Sequence, residues 1–168
     1  MSLSMYQASV PVLVRALTNL SAILKKAEAH AEARKIDPAV MLGWRLAPDM
    51  FNLTRQVQIA SDGAKGCAAR LAGVEIPSFP DTETTFEELQ ARIARTIDFV
   101  KGLDKAAIED SADRHIVLKM RSGEIPFNGV SFLTGFALPN FTFHVVAAYA
   151  ILRSIGVEIG KMDYLGSN

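Results

Sequence analysis

The feature that most constrains the fold of this sequence is a spacing of three or four residues between apolar positions, maintained over four long stretches. In the first stretch the repeating positions are Tyr6, Val10, Leu13, Leu17, Leu20, Leu24 and Ala27. The same spacing returns from Met50 to Leu71, from Phe86 to Leu103 and from Val130 to about Gly156. Because an α-helix has 3.6 residues per turn, each stretch predicts a helix with one apolar side.

The ends of these helices carry signals of their own. Thr85, with Glu88 three residues later, forms a capping-box pattern that predicts the start of the third helix. Proline is tolerated in the first turn of a helix, so we expect the second helix to begin at Pro48 and to run to Gly73. Pro139 predicts a bend or a restart within the fourth helix.

Four amphipathic helices of about 20 residues would each be roughly 30 Å long, and they can share one apolar core only as a bundle. A chain of 168 residues is within the usual size of one domain. We therefore expect an all-α four-helix bundle in which residues 1–168 form a single domain.

Between the third and fourth helices the pattern changes. The segment HIVLKM alternates apolar and polar residues, RSGE is typical of a turn, and IPF can pair back although Pro126 removes one ladder donor. We expect a small β-hairpin or an irregular insertion between these two helices. The C-terminal segment VEIGKMDYLGSN predicts a loop that ends in solvent.

Charge and hydropathy narrow the possible partners. Lys plus Arg equals Asp plus Glu at 18 each, so no long-range field favours nucleic acid.

The uncharged run from Ile125 to Leu152 is long enough to span a bilayer, but Pro126, Gly129 and His144 would leave broken helix or polar groups in hydrocarbon. The N-terminal apolar run is interrupted by polar residues and has no basic leader. We expect a cytoplasmic protein that binds neither nucleic acid nor membrane.

His144 is the candidate functional residue, because it is a titratable side chain within an apolar stripe of the fourth helix. The positions of this stripe are Ala137, Phe141, His144, Ala148, Ile151 and Ile155. A buried imidazole needs a hydrogen-bond partner. Asn140 lies one turn earlier on the same face, and a polar strip of Asp49, Asn52 and Gln56 on the second helix could meet His144 across the core. We therefore select His144, Asn140, Gln56 and Asp49 as candidate binding residues.

The end of the fourth helix, His144 followed by LRSIGV, resembles the last helix of the DinB and YfiT-like four-helix bundles. In that family a His-x-x-x-His pair precedes a Leu-Arg-x-x-Gly-Val ending, and His144 matches the second histidine. The segments LAPDMFNLTRQVQIASDGAKGCAARLAG and LPNFTFHVVAAYAILRSIGVEIGKMDYLG more closely resemble a bacterial subfamily of unknown function. The resemblance covers nearly the whole chain and implies a DinB-like bundle that forms a homodimer.

The resemblance also implies where a metal would bind. In metal-binding members of the family, one histidine of the second helix and two of the last helix hold a divalent ion, and some members transfer low-molecular-weight thiols or isomerise small acids. Here Asn140 replaces the first histidine of the pair, and Gln56 best matches the ligand of the second helix. Amide oxygens are weak ligands for zinc or nickel. A divalent metal is therefore possible but disfavoured, with His144 as a weak candidate ligand.

Two functions remain open. In the first, the protein is a non-catalytic or small-molecule-binding homodimer, and His144, Asn140 and Gln56 form a polar cluster at a vestigial metal site. In the second, it is a metal-assisted enzyme of the DinB type, a thiol transferase or an isomerase-like protein, and the cluster lines an open cleft. The two functions differ in whether a metal binds at His144.

Overall fold

Four long helices pack around one apolar core, and short helices and a hairpin connect them. The computed structural model describes residues 3–120 and 123–166. The predicted all-α bundle is confirmed, as is the small hairpin between the third and fourth long helices. The elements are α1 (Met5–Arg34), α2 (Pro38–Leu42), α3 (Leu53–Ala72), α4 (Phe86–Lys101), α5 (Lys105–Glu109), β1 (Ile116–Met120), β2 (Gly123–Phe127), α6 (Gly129–Phe132), a π-helical turn (Leu133–Ala137), α7 (Leu138–Ser154) and α8 (Lys161–Leu165).

Thr85 caps α4 as the sequence predicts. The Thr85 hydroxyl accepts the backbone N–H of Glu88 at 3.1 Å, and the Glu88 carboxylate accepts the backbone N–H of Thr85 at 3.1 Å. Two donors that the first turn would otherwise leave unpaired are thereby satisfied.

The predicted start of α3 is wrong by about one turn. Pro48 and Asp49 lie in the connection before the helix, and α3 begins at Leu53. The reason is Asn52, whose side chain accepts the backbone N–H of Arg55 at 3.0 Å and fixes the N-cap. Asp49 is exposed to solvent in this connection, so it is not part of a helical polar strip with Gln56.

The predicted bend at Pro139 takes the form of a π-helical turn. Helical backbone runs from Gly129 to Ser154, and it widens over Leu133–Ala137 immediately before α7. Pro139 lies in the first turn of α7. A proline lacks an N–H and its ring crowds the carbonyl four residues back, and a wider turn accommodates both effects.

The C-terminal segment is not the solvated loop that the sequence predicts. It forms α8, which packs against α1. The side-chain amide of Asn19 donates to the Tyr164 carbonyl at 3.0 Å, and Lys26 lies 2.6 Å from the Asp163 carboxylate. Asp163 also accepts the backbone N–H of Gly160 at 2.8 Å, which caps the short helix. These contacts tie the end of the described chain to the bundle.

The predicted hairpin is a two-stranded antiparallel sheet. In its register Pro126 lies opposite Val117, and Ile116 lies opposite Phe127. Ile116 and Leu118 reach the core, whereas the residues of β2 are largely exposed. A proline is tolerated here because a sheet of two strands leaves one side of each strand without a ladder partner.

The core joins α1, α3, α4 and α7. Cys67 on α3 is buried, and burial raises the pKa of its thiol to about 12, so it is unreactive at neutral pH.

Two helical segments, Met5–Arg34 and Gly129–Ser154, are long and apolar enough to cross a membrane by length and composition. In their most apolar windows 39% and 44% of the residues are buried within the protein, and core helices of soluble proteins pass the same test.

Candidate functional site

His144 and Gln56 meet between α7 and α3. The Nδ1 atom of His144 lies 2.7 Å from the Oε1 atom of Gln56, and both side chains are buried, with 8% and 1% exposure. The amide nitrogen of Gln56 donates to the carbonyl of Phe51 at 3.1 Å. The two helices therefore hold the imidazole in one orientation through a chain of two hydrogen bonds.

This chain of hydrogen bonds sets the tautomer of His144. Because the Gln56 amide nitrogen is engaged by Phe51, its oxygen faces the imidazole and accepts the proton on Nδ1. The Nε2 atom then carries a lone pair. Within the described part of the chain Nε2 has no hydrogen-bond partner, and the His144 side chain, at 8% exposure, is not fully closed off from solvent.

The surroundings of His144 favour its neutral form. Burial lowers the pKa of His144 below its ordinary value, and the positive charge of Arg55 lowers it further. The ring of Phe143 stands edge-on to the imidazole with 5.2 Å between the ring centroids. Phe143 is 57% exposed, so an apolar side chain stands between the imidazole and the solvent on that side.

Arg55 is held by one partner on its own helix and one on the connection between α3 and α4. Its guanidinium pairs with Asp81 and donates to the Oε1 atom of Gln58 at 3.2 Å. Gln58 in turn donates to Glu83 at 2.9 Å. The position of the charge that acts on His144 is therefore set by Gln58 of α3 and by Asp81 of the segment 74–85.

That segment is fastened to the bundle by a buried arginine. The side chain of Arg92 on α4 is 0% exposed, and its guanidinium lies 2.9 Å from Asp62, 3.0 Å from Asp81 and 3.0 Å from Glu83. Its Nε atom donates to the Ser61 hydroxyl at 3.2 Å. Three carboxylates from two segments thus converge on one cation, which satisfies a charge that would be costly to bury alone.

The pKa shifts in this cluster follow from competing effects. Burial would raise the pKa of Glu83, but hydrogen bonds from Arg92 and Gln58 and the charge of Arg92 lower it below its usual value. Burial would lower the pKa of Arg92, but its hydrogen bond with Glu83 and the charges of Asp62 and Asp81 raise it above its usual value. Both groups therefore remain charged at neutral pH.

The structure brings together two of the four residues selected from the sequence. His144 and Gln56 are in direct contact. Asn140 lies one turn before His144, where a Cβ atom built on Gly63 would be 3.7 Å from its side-chain nitrogen. Asp49 is exposed in the connection before α3, because Asn52 caps the helix and the helix therefore begins after Asp49.

Comparison with known proteins identifies the family. Residues 5–165 match the model of a domain of unknown function, DUF1993. The chain belongs to this family. A crystal structure of a DinB family member protein from Shewanella denitrificans is similar, with 44% sequence identity and a TM-score of 0.91, and the match covers 97% of this chain and 92% of that one. No curated protein matches the chain.

The DinB-like fold raises the question of a metal, and the residues of this DUF1993 chain do not fit one. The described residues contain no group of three or more His, Cys, Asp or Glu side chains that could hold an ion. Gln56 is 2.7 Å from Nδ1, a direct hydrogen bond that leaves no room for an ion between the two atoms. The expectation that Gln56 occupies a ligand position is therefore replaced by a role in orienting the imidazole.

Three contributors to the site were missed in the sequence: the Phe51 carbonyl, Arg55 and the cluster around Arg92. A backbone carbonyl carries no sequence signal. Arg92, however, lies three residues after Leu89 and next to Ile93 on the apolar side of α4. A charged residue at a core position signals a buried ion pair in this DUF1993 domain.

Proposed function

We propose that this protein is a non-catalytic, small-molecule-binding homodimer of the cytoplasm, with His144, Gln56 and Asn140 at the vestigial metal position of the DinB-like fold. The observation that supports this proposal most directly is the imidazole of His144 at the edge of the core, with Nδ1 held by Gln56 and no partner for Nε2 among the described residues. A fixed lone pair at the edge of a core is suited to receive one hydrogen bond from a ligand.

The surroundings define the chemistry of the ligand. A lone pair on Nε2 accepts a hydrogen bond, so the ligand presents a hydroxyl or an N–H group. The charge of Arg55 lowers the pKa of His144 and disfavours a cationic ligand. The Phe143 ring beside the imidazole offers an apolar surface to the rest of the ligand. We therefore propose a small neutral or anionic molecule with one apolar part.

A metal-assisted enzyme of the DinB type, a thiol transferase or an isomerase-like protein, is the second candidate. One observation favours it: an Nδ1 proton held by an amide oxygen is the arrangement that orients histidine ligands of metal ions. The donor set argues against it, because the described residues supply one imidazole and amide groups.

The experiment that separates the candidates is elemental mass spectrometry of tag-free protein before and after incubation with zinc, nickel, manganese and iron(II). His144→Ala and His115→Ala are compared, because His115 is exposed and serves as a matched control. We expect no stoichiometric metal in any of the three proteins. Near-stoichiometric metal that is lost in His144→Ala and kept in His115→Ala would overturn the first proposal.

Ligand binding is measured with a panel of small alcohols, amides and carboxylic acids, by shifts in thermal unfolding and by titration of the His144 imidazole signal. We expect a saturable shift that His144→Ala abolishes and His115→Ala retains. Binding that is equal in all three proteins would show that the ligand site lies away from His144.

A further inference from the structure

The outward side of α7 carries no charged residue before Arg153, at its C-terminal end. Its exposed or half-buried positions follow a helical spacing: Pro139, Thr142, Phe143, Val146 and Ala150. At 100° per residue these five positions fall within about 100° of one another around the helix axis. We call them the α7 outer face. No Asp, Glu, Lys or Arg occurs from Ile125 to Leu152, so these five positions carry no charge.

Two apolar cavities continue this face onto the chain beside it. One of about 670 Å³ lies between the α7 outer face and Leu46 and Met50. A second of about 470 Å³ lies at the end of α7, against Val40 and Trp44. Neither cavity has a charged lining residue, although 21% of the chain is charged. Depletion of charge is the mark of the centre of a protein interface.

Val146 lies at the centre of the α7 outer face. Thr142 and Ala150 lie four residues on either side of it, and Pro139 and Arg153 lie seven residues on either side. If a two-fold axis passes beside Val146, a second α7 runs antiparallel to the first, and each of these residues faces its counterpart. An isologous interface uses the same patch on both copies, so Thr142 of one copy meets Ala150 of the other in this arrangement.

One end of the face carries an exposed cation, and the other carries an exposed carboxylate together with Arg45, which donates to the Pro48 carbonyl at 3.5 Å. Arg153 is exposed at the C-terminal end of α7. Asp49 is exposed next to Met50, which lines the same cavity as Pro139 at the N-terminal end. Within residues 3–120 and 123–166 neither side chain takes part in an ion pair. The two-fold arrangement brings Arg153 of one copy to the Asp49 end of the other, where the Asp49 carboxylate can pair with it.

The exposed area suits a dimer of standard size. The large exposed side chains that line the two cavities are Val40 at 54%, Trp44 at 47%, Leu46 at 43%, Phe143 at 57% and Val146 at 43%. A fully buried aromatic side chain covers roughly 150 to 250 Å², so these five expose on the order of 400 Å² per copy. A standard interface buries about 800 Å² per partner with an apolar centre and a polar rim. The five exposed side chains supply that apolar centre.

We propose that the α7 outer face is the surface on which a second copy of this chain docks, antiparallel about Val146, with Arg153 of one copy paired to Asp49 of the other. The proposal deepens the proposed function, since it names the face of the homodimer. A small apolar ligand in the larger cavity or a different protein on the face are the other possible occupants, and the experiment separates them.

The test is sedimentation velocity of the full chain over a range of micromolar concentrations, with Val146→Glu and Val12→Glu. Val12 is a matched control, because it is also helical and exposed to a similar extent, 44%, but lies on α1. Val146→Glu places two like charges together at the two-fold axis. We expect it to raise the dissociation constant of the dimer about a hundredfold, and we expect no change in Val12→Glu.

Sedimentation velocity also tests the proposed pair of Arg153 with Asp49. Arg153→Glu and Asp49→Lys should each weaken the dimer about tenfold, and the double variant should restore it. Independently, Val146→Cys should form a disulfide-linked dimer under oxidation, since positions on the axis face their own copies, whereas Val12→Cys should not. The native Cys67 is buried and does not compete.

The outcomes distinguish the two proposals. A wild-type protein that is monomeric at all concentrations overturns the homodimer and with it this surface. A dimer that Val146→Glu leaves intact, or single charge variants that the double variant fails to rescue, overturns the surface alone and leaves the homodimer standing. If the wild type is monomeric and gains mass only with a small ligand or a different protein, that molecule replaces the second copy as the occupant of the face.

Discussion

The His144 imidazole responds to charge on a neighbouring helix, and this response can be measured. Burial and then the charge of Arg55 lower the pKa of His144 below 6.5, the value of an ordinary histidine. A histidine whose folded-state pKa is lowered stabilises the fold fully above pH 6.5, and this contribution is lost as pH falls through the folded-state pKa. We predict that Arg55→Met raises the pKa of His144 towards 6.5.

The measurement is an NMR titration of the His144 Hε1 signal between pH 4 and 8, with the signal assigned by its loss in His144→Ala. Arg34→Met, a charge removed from the exposed end of α1, is the control and should leave the titration unchanged. Should the pKa stay fixed in Arg55→Met, the charge of Arg55 does not act on the imidazole, and burial alone sets the shift.

At the residue scale the sequence offered Gln56 as one of several polar groups able to meet His144, but it could not choose between them. The apolar stripe of α7 showed that His144 points inward, and amide residues on the second helix were the polar groups able to meet it. The direct bond between His144 and Gln56 depends on the relative rotation and height of α3 and α7, which helical spacing does not determine. Asp49 was misplaced because capping by Asn52 begins the helix later than Pro48 suggested.

The connection between α3 and α4 depends on Arg92, and its replacement should destabilise the fold. In Arg92→Met the buried guanidinium is lost, and Asp62, Asp81 and Glu83 are left without their common partner. Asp62 and Asp81 are more than a third exposed and keep Lys65 and Arg55 as partners. The carboxylate of Glu83 is only 8% exposed, and leaving such a group without its cation costs about 1 to 3 kcal/mol. We predict a decrease of this size in the free energy of unfolding, measured with urea, and no more than about 0.5 kcal/mol in the exposed control Lys25→Met.

The same cluster predicts a pH dependence. The pKa of Glu83 is lowered in the folded protein, so its contribution to stability is complete above its ordinary pKa and is lost as pH falls through the lower folded-state value. That acid-dependent loss should be smaller in Arg92→Met than in the wild type. An equal loss in both proteins would show that Glu83 and Arg92 do not stabilise one another.

At the element scale the apolar period predicted the four long helices because each depends on its own side chains. Thr85 and Glu88 determine the start of α4 locally, and this start was predicted correctly. The short helix α8 was missed because Gly160 and the polar residues after it are typical of a loop, and it is held by contacts with Asn19 and Lys26 on α1, more than 130 residues away. Contacts of that range leave no local pattern.

The whole molecule presents one face without charge, and association over that face predicts how thermal stability depends on concentration. If the protein unfolds from a dimer to two unfolded chains, mass action raises the melting temperature with concentration. For a dimer of this length a tenfold rise in concentration adds about 1.4 kcal/mol, or about 2 °C. We predict this slope for the wild type and for Val12→Glu, measured by scanning calorimetry.

Val146→Glu should remove this dependence while keeping its helical circular dichroism, because Val146 is 43% exposed and its change leaves the core intact. The core is built by residues of α1, α3, α4 and α7 within one chain, so the bundle does not need its partner to bury them. A concentration-independent melting temperature in the wild type would mean that unfolding begins from a monomer. A slope that persists in Val146→Glu would place the dimer contact on another face of the bundle.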